Sequence, residues 1–181
     1  YLDQPRGRQL DLIQLALPAV RTVGILVSGE SRGHAAELDK AAKERDMQLV
    51  TSLVGPSGLF AALQKVLADV EVLLALPDPA VFNSETAANI LMAAYRRQVP
   101  LVGFSPAYVK AGALLALYST PAQVGTRGGD VLRQNLAGRS LPPPQWSREF
   151  TVKVNQDVAR SLGFALDEAR LGEQLREGER P

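Results

Sequence analysis

The sequence predicts an α/β fold, a doubly wound and mainly parallel sheet, and three observations carry that prediction. Short apolar runs recur at 21–28, 47–54, 72–76 and 100–105, each closed by turn residues. Each run leads into a segment whose apolar residues return every three or four positions, the period of a helix packed on one side. The runs are nearly continuous in apolar character, as expected of strands covered on both faces. At least four strand–helix units joined by right-handed crossovers give a parallel sheet with all strand carboxyl ends along one edge.

Taken in order, Tyr1 to Arg8 is polar and turn-prone, and Leu10, Ile13 and Leu17 then mark a helix over 9–17 that Pro18 ends. Arg21 to Ser28 is the first strand, running into a small polar loop at 29–33. A helix over 34–46 places Ala35, Leu38 and Ala42 on one face, with Asp39–Lys43 and Lys40–Glu44 pairs on the other, each worth roughly 0.2–0.5 kcal/mol. Met47 to Val54 is the second strand. Ser57 is placed to cap the next helix, with Leu59, Leu63, Val66 and Leu67 inward.

Val72 to Leu76 is the third strand, stopped by Pro77 and Pro79 on either side of Asp78, because neither proline has an N–H for the ladder. Asn83 is a good N-cap for a helix to Arg97 that turns Ala87, Ile90, Leu91, Ala94 and Tyr95 to the core. Pro100 to Ser105 is the fourth strand and 112–119 a fifth apolar, strand-like run. Thr120-Pro121-Ala122-Gln123 spells a capping box. The helix it opens carries Gly125, Gly128 and Gly129, which predicts close approach of another backbone, and Gly138 ends it at C′. Leu141-Pro-Pro-Pro144 is a stiff connector. Phe150, Val152 and Val154 alternate with Thr151 and Lys153, the mark of a half-exposed edge strand. Asn155 caps a short helix stopped by Gly163. Beyond Asp167 the charges and glycines predict a frayed tail with a helical turn or two.

Totals narrow the function. With 46% hydrophobic residues in 181, the chain can cover a sheet on both sides. A net charge of +1 with interspersed signs gives no footprint for nucleic acid or an anionic membrane. Absence of cysteine removes disulfides, thiolate catalysis and thiolate metal sites, and suits an oxidising compartment. No run of about 18 apolar residues is present. The chain opens on Tyr1 rather than Met and shows no signal peptide, so a mature form or an excised piece is expected.

Three corners lie at strand carboxyl ends ahead of helix amino termini: 28–32, 77–84 and 105–108. A shared rim of that kind is where ligands of open α/β sheets bind. Free N–H groups at the helix starts suit a carboxylate, Asp78 and Glu30 suit an ammonium group, and the hydroxyls of Ser28, Ser31 and Ser105 suit orientation. The candidate ligand-binding residues are therefore Ser28, Glu30, Ser31, Asp78, Asn83 and Ser105, with turn-making and helix capping as the plainer role of each. His34, the one histidine, has no predicted partner. Without cysteine and with one histidine, neither a metal cluster nor a nucleophilic triad can be assembled in the usual way, no spacing suggests a Ser–Lys pair, and no dinucleotide or phosphate-loop fingerprint is present. No catalytic residue, metal site or cofactor is expected. Trp146 is expected to anchor the last strand by packing.

Several stretches resemble the substrate-binding proteins of ABC transporters, in the branch that includes bacterial receptors for tryptophan and tyrosine. They are Leu17-Pro18 before Val23-Gly24-Ile25-Leu26, Leu74 to Asp78, Val99 to Ser105, Val109 to Tyr118 with Gly125 beyond, Leu136-Ala137-Gly138, and Val154-Asn155 through Gly163. The resemblance covers about residues 17 to 165. It implies one lobe of a type I periplasmic-binding fold that closes on its ligand at a hinge, with ligand-facing residues at Ser28 to Ser31, Asp78 and Ser105. On this reading 1–18 is a linker and helix from an absent amino-terminal lobe and 19–165 is the ligand-binding lobe with a returning segment at 113–138. Residues 166–181 form a flexible charged tail.

The function this implies is a non-catalytic, periplasmic receptor for a small polar ligand such as an amino acid, working with an ABC permease. No nucleic-acid partner or membrane insertion is expected. The apolar face of 113–138, lacking its usual cover, is expected to pair with a second copy as a homodimer. A rival reading keeps the fold as a sensing or dimerisation module in signalling, and a third makes it an enzyme, disfavoured because no base–nucleophile pair can be named.

Overall fold

The structure, a computed structural model, describes residues 3–55 and 58–179. The elements run α1 (Arg6–Ala16), β1 (Thr22–Val27), α2 (Arg32–Lys43), β2 (Gln48–Leu53), α3 (Gly58–Ala68), β3 (Val72–Leu74), α4 (Ala87–Arg96), β4 (Leu101–Gly103), α5 (Pro106–Ala111), β5 (Leu115–Tyr118), α6 (Pro121–Leu136), β6 (Thr151–Val154), α7 (Gln156–Ser161) and α8 (Glu168–Gly178). Sheet order is β2-β1-β3-β4-β5-β6. Strands β1 to β5 are parallel, and β6 closes the edge antiparallel to β5. The expected doubly wound, mainly parallel sheet with a carboxyl-terminal edge strand is what forms.

Successive strand residues point to opposite faces, so each strand feeds two cores. Ile25 and Val27 of β1 and Leu74 of β3 pack with Leu10 and Ile13 of α1, Leu38 and Ala42 of α2, and Phe150. Leu26 and Leu73 face the other way, toward Leu63, Val66 and Leu67 of α3, Ile90 and Leu91 of α4, and Tyr108 of α5. Gly24 lies under α3, where an added Cβ would come within 2.8 Å of Val66 and 3.0 Å of Val70.

Helix α1, expected as a connector, is built into the first core: Leu10, Leu12 and Ile13 are fully buried. Arg45 donates to Asp11 on α1 through Nε at 2.6 Å and Nη2 at 3.0 Å. Arg8 donates to Gln4 Oε1 at 2.7 Å and to the Ser147 carbonyl at 2.9 Å, pairs with Glu179, and lies 4.6 Å over the Phe150 ring.

The capping box at Thr120 and Gln123 forms with both bonds, and Asn155 caps α7 by accepting from Asp157 and Val158 N–H. Gly138 and Gly163 take the positive φ that ends α6 and α7.

Several local expectations are corrected. Asn83 does not cap α4; its side chain accepts from Glu85 and Thr86 N–H in a turn ahead of the helix, which starts at Ala87. Tyr95 is 44% exposed instead of inward, its hydroxyl 2.5 Å from that of Ser161. The expected frayed tail is the eleven-residue helix α8, capped by Asp167, which accepts from Ala169 and Arg170 N–H. Leu171 and Leu175 of α8 are buried, and Glu168 accepts from the Val154 N–H at 2.8 Å, which secures the helix on the edge strand. Residues 113–118 are not a free face, because β5 is an interior strand with Ala113 to Leu117 buried. Only α6 stands clear, with none of its 16 residues buried. No backbone within the described residues approaches its glycines: nothing lies within 4 Å of a Cβ added at Gly125 or Gly128, and Gly129 meets only Arg133. Ser57, expected as a cap, lies outside the described residues.

Gly24→Ala is expected to destabilise the protein by about 1–3 kcal/mol, through the clash with Val66 and Val70. A lowered urea midpoint with an unchanged denaturant slope checks this.

Candidate functional site

The parallel strands bring the carboxyl ends of β1, β3, β4 and β5 to one rim. Strand order reverses between β1 and β3, the place where open α/β sheets bind their ligands. Asp78 sits at that reversal. Its chain leaves β3, and Pro77 and Pro79 hold it off the ladder, so the carboxylate turns sideways toward β1. One oxygen accepts from the Ser28 N–H at 2.9 Å and from the Ser31 hydroxyl; the other accepts from the Ala80 N–H at 3.0 Å. Ser31 Oγ also accepts from Ser28 N–H at 3.0 Å.

Asp78 is 2% exposed, with Ser28 and Ser31 nearly as buried. Burial works to raise the carboxyl pKa, but hydrogen bonds from the Ser31 side chain, the Ser28 N–H and side chain, and the Ala80 N–H outweigh it and hold it below the usual carboxylate range. Sequence reasoning thus placed Ser28, Ser31 and Asp78 together at the rim, and the structure joins them into one clasp. What it did not foresee is that their polar atoms are spent on one another.

The remaining candidates lie around the clasp. Glu30 is exposed, in a loop folded by its own N–H donating to Ser28 Oγ at 3.2 Å. Ser105 stands ahead of α5 in extended conformation, and its half-buried hydroxyl makes no capping bond. Asn83 lines a groove of about 330 Å³ with Ser84, Phe104 and Tyr108. Its apolar wall was missed from the sequence: Phe82, Phe104 and Tyr108 form an aromatic cluster, with Phe104 and Tyr108 at 4.7 Å between ring centres and Phe82 edge-on at 6.1–6.4 Å. The signal was present, since all three aromatics fall within the corners at 77–84 and 105–108 or beside them. A Cβ at Gly103 would meet Tyr108 at 2.7 Å, so that glycine lets the cluster close onto β4.

At the next position along the rim, Gln4 donates to Ser119 Oγ at 2.9 Å, which ties the approach to α1 to the end of β5. Helix α6 starts there. Along α6 a second groove of about 370 Å³ is lined by Val124, Arg127, Val131, Pro142 and the half-buried Trp146. His34 is exposed. Among the described residues no group of three or more His, Cys, Asp or Glu is placed to hold a metal ion, and no helix is long and apolar enough to cross a membrane.

A family model described as ABC transporter substrate binding protein matches residues 3–174. No curated protein matches by sequence. Solved structures of similar fold include the ABC domain in complex with L-Trp from Streptococcus pneumonia, at 20% identity and TM-score 0.71 over 93% of this chain and 59% of that one. A conserved domain protein from Vibrio cholerae O1 biovar El Tor gives 23% identity and TM-score 0.72 over 93% and 58%. The ligand-free, open form of CD0873, a substrate binding protein with adhesive properties from Clostridium difficile, gives 19% and 0.71 over 88% and 55%. The chain thus spans less than three-fifths of the length of these structures, and at these identities the likeness establishes the fold.

Asp78→Ala is expected to cost about 1–3 kcal/mol, since it takes the acceptor from the Ser31 hydroxyl and the Ala80 N–H and leaves the Ser28 N–H only its bond to Ser31 Oγ. Asp78→Asn, with one acceptor oxygen for two sides of the clasp, is expected to cost less but not nothing. Because the folded-state pKa is depressed, the clasp's stabilisation is full above the ordinary aspartate value of about 4 and is lost as pH falls through the lower folded value. Urea midpoints measured across that acid range should fall more steeply for the parent protein than for Asp78→Ala.

Proposed function

The chain belongs to the family of ABC transporter substrate-binding proteins, and from that premise we propose that it is one ligand-binding lobe of a receptor that passes a small polar molecule to a membrane permease. An amino acid is the favoured ligand class, and the setting is the periplasm. The observation that carries this reading is the single rim. There a rigid clasp at the strand-order reversal sits between exposed Glu30 on one side and the open Ser105 hydroxyl and aromatic groove on the other. Glu30 suits an ammonium group, Ser105 and the starts of α2 and α5 suit polar oxygens, and the groove suits an apolar side chain. The bound L-Trp of the Streptococcus pneumonia protein supports the choice of class. In this reading Asp78 shapes the rim and does not touch the ligand, and no residue is assigned a catalytic role.

A single lobe leaves its ligand half solvated, so weak affinity is expected of this chain by itself. A thermal-shift screen of amino acids and small carboxylates tests the reading. A compound that raises the melting temperature, with affinity reduced about tenfold (about 1.4 kcal/mol) by Glu30→Gln or Ser105→Ala, supports it. A screen with no response, or a response indifferent to both substitutions, counts against it.

The bare helix α6, with Leu132 and Leu136 58% and 79% exposed, is proposed to be covered by a second copy of the chain. Sedimentation equilibrium should show a dimer that Leu132→Glu with Leu136→Glu converts to monomer. A parent protein that stays monomeric at high concentration rules out this arrangement.

A further inference from the structure

Two arginines on α1 are almost fully buried, and they differ in one respect. Arg8, 6% exposed, spends its guanidinium on Gln4, the Ser147 carbonyl and Glu179. Arg6, 7% exposed, leaves both Nε and Nη1 buried without an acceptor. Asp3 and Glu37 act on it electrostatically, but neither takes a hydrogen bond from those atoms. A buried guanidinium lacking acceptors lowers the stability of the chain that carries it.

Its place gives the cost a purpose. Arg6, Gln9, Leu10 and Ile13 follow one another at helical spacing, and Leu10 and Ile13 pack on the sheet, so the four share the face of α1 turned toward it. Arg6 is the first residue of α1, and long helical side chains lean toward the helix amino terminus, so its guanidinium belongs to this end of the helix. The first turn has no side-chain cap, since Pro5 occupies the cap position, and no acidic residue within it. Its free N–H groups and the guanidinium therefore offer positive potential at one place. The Gln4–Ser119 bond, 2.9 Å long, ties this end of α1 to the rim at the close of β5. Gln9 Oε1, one turn on along the same face, is also buried and unpartnered, and a turn of that amide would present N–H to the same spot.

We propose that the first turn of α1 and the Arg6 guanidinium form a carboxylate-binding site at the rim, which receives the acid group of the ligand. The proposal rests on the receptor reading for the identity of the ligand, but the anion site stands by itself. Asp3 and Glu37 already bring negative charge near Arg6, which favours a singly charged carboxylate over a phosphate dianion.

The test titrates the intact chain with sodium acetate and, separately, with inorganic phosphate, against chloride at constant ionic strength. The Arg6 Nε–H resonance and the melting temperature are followed. Acetate should move the resonance saturably and raise the melting temperature, with phosphate weaker. Arg6→Met should abolish the acetate response while melting no lower than the parent in chloride, because the unpaired buried charge is gone. Arg6→Lys should keep a response weakened at least tenfold.

An acetate response that survives Arg6→Met, no movement of the Arg6 resonance in the parent protein, or a stronger response to phosphate would each overturn the proposal. Arg6→Met melting well below the parent in chloride would do the same, by marking the guanidinium as structural. If the amino-acid screen succeeds while acetate leaves Arg6 untouched, the receptor reading stands and this site falls. Acetate binding at Arg6 with an empty screen gives the reverse.

Discussion

The rim depends on one buried carboxylate. Where the strand order reverses, the chain after β1 departs into α2 on one face of the sheet, and the chain after β3 departs toward α4 on the other. Nothing in the backbone ladder holds these two exits together. Asp78 does, with one oxygen on the Ser28 and Ser31 side and the other on its own corner. An unpartnered carboxylate at that depth would be costly, and the donors around it keep it charged. Because Ser31 gives its hydroxyl to Asp78, α2 is left without a side-chain cap, and its first turn is closed only through the His34 N–H, which donates to the Ser31 carbonyl at 3.0 Å. The clasp therefore sets how the two corners meet at the rim.

A second constraint comes from α1. Its arginine contacts run to residues far along the chain, Arg8 to Ser147 and Glu179, while Asp11 receives Arg45 at the end of α2. The first and last helices are thereby locked over the same face of the sheet, and Phe150 on the way into the edge strand is held under the guanidinium of Arg8. A helix that sequence position alone would assign to a linker is part of the core on which the rim stands.

How far the sequence revealed this depended on whether the signal was local. Apolar runs bounded by turn residues gave the strands, because strand burial and turn chemistry act over a few residues. The Thr120–Gln123 box and the Asn155 cap formed as read, since both bonds close within three residues. Asn83 carried a cap signal as strong, but the Thr86 hydroxyl bonds back to the Val81 carbonyl and a turn intervenes before α4. The carboxyl-terminal helix was missed because its charge density outweighed two leucines four residues apart, whose burial depends on α1 and β6 far away in sequence. At the site, the residue types and their common rim were readable. The pairing of Asp78 with Ser31 was not, because a contact across 47 residues leaves no local trace. For the aromatic cluster the residues were in view at the corners, but the meeting of Phe82 with Tyr108, on separate corners, was not, and Gly103 is what lets Tyr108 close onto β4.

The placement of Trp146 has an optical consequence. It is the chain's single indole, and it lines the groove along α6 together with the rigid prolines of the connector. Indole emission is sensitive to the polarity and the quenching groups around it. Its colour and lifetime therefore report on how α6 sits against the lobe, without a dye and without interference from a second fluorophore of the same kind.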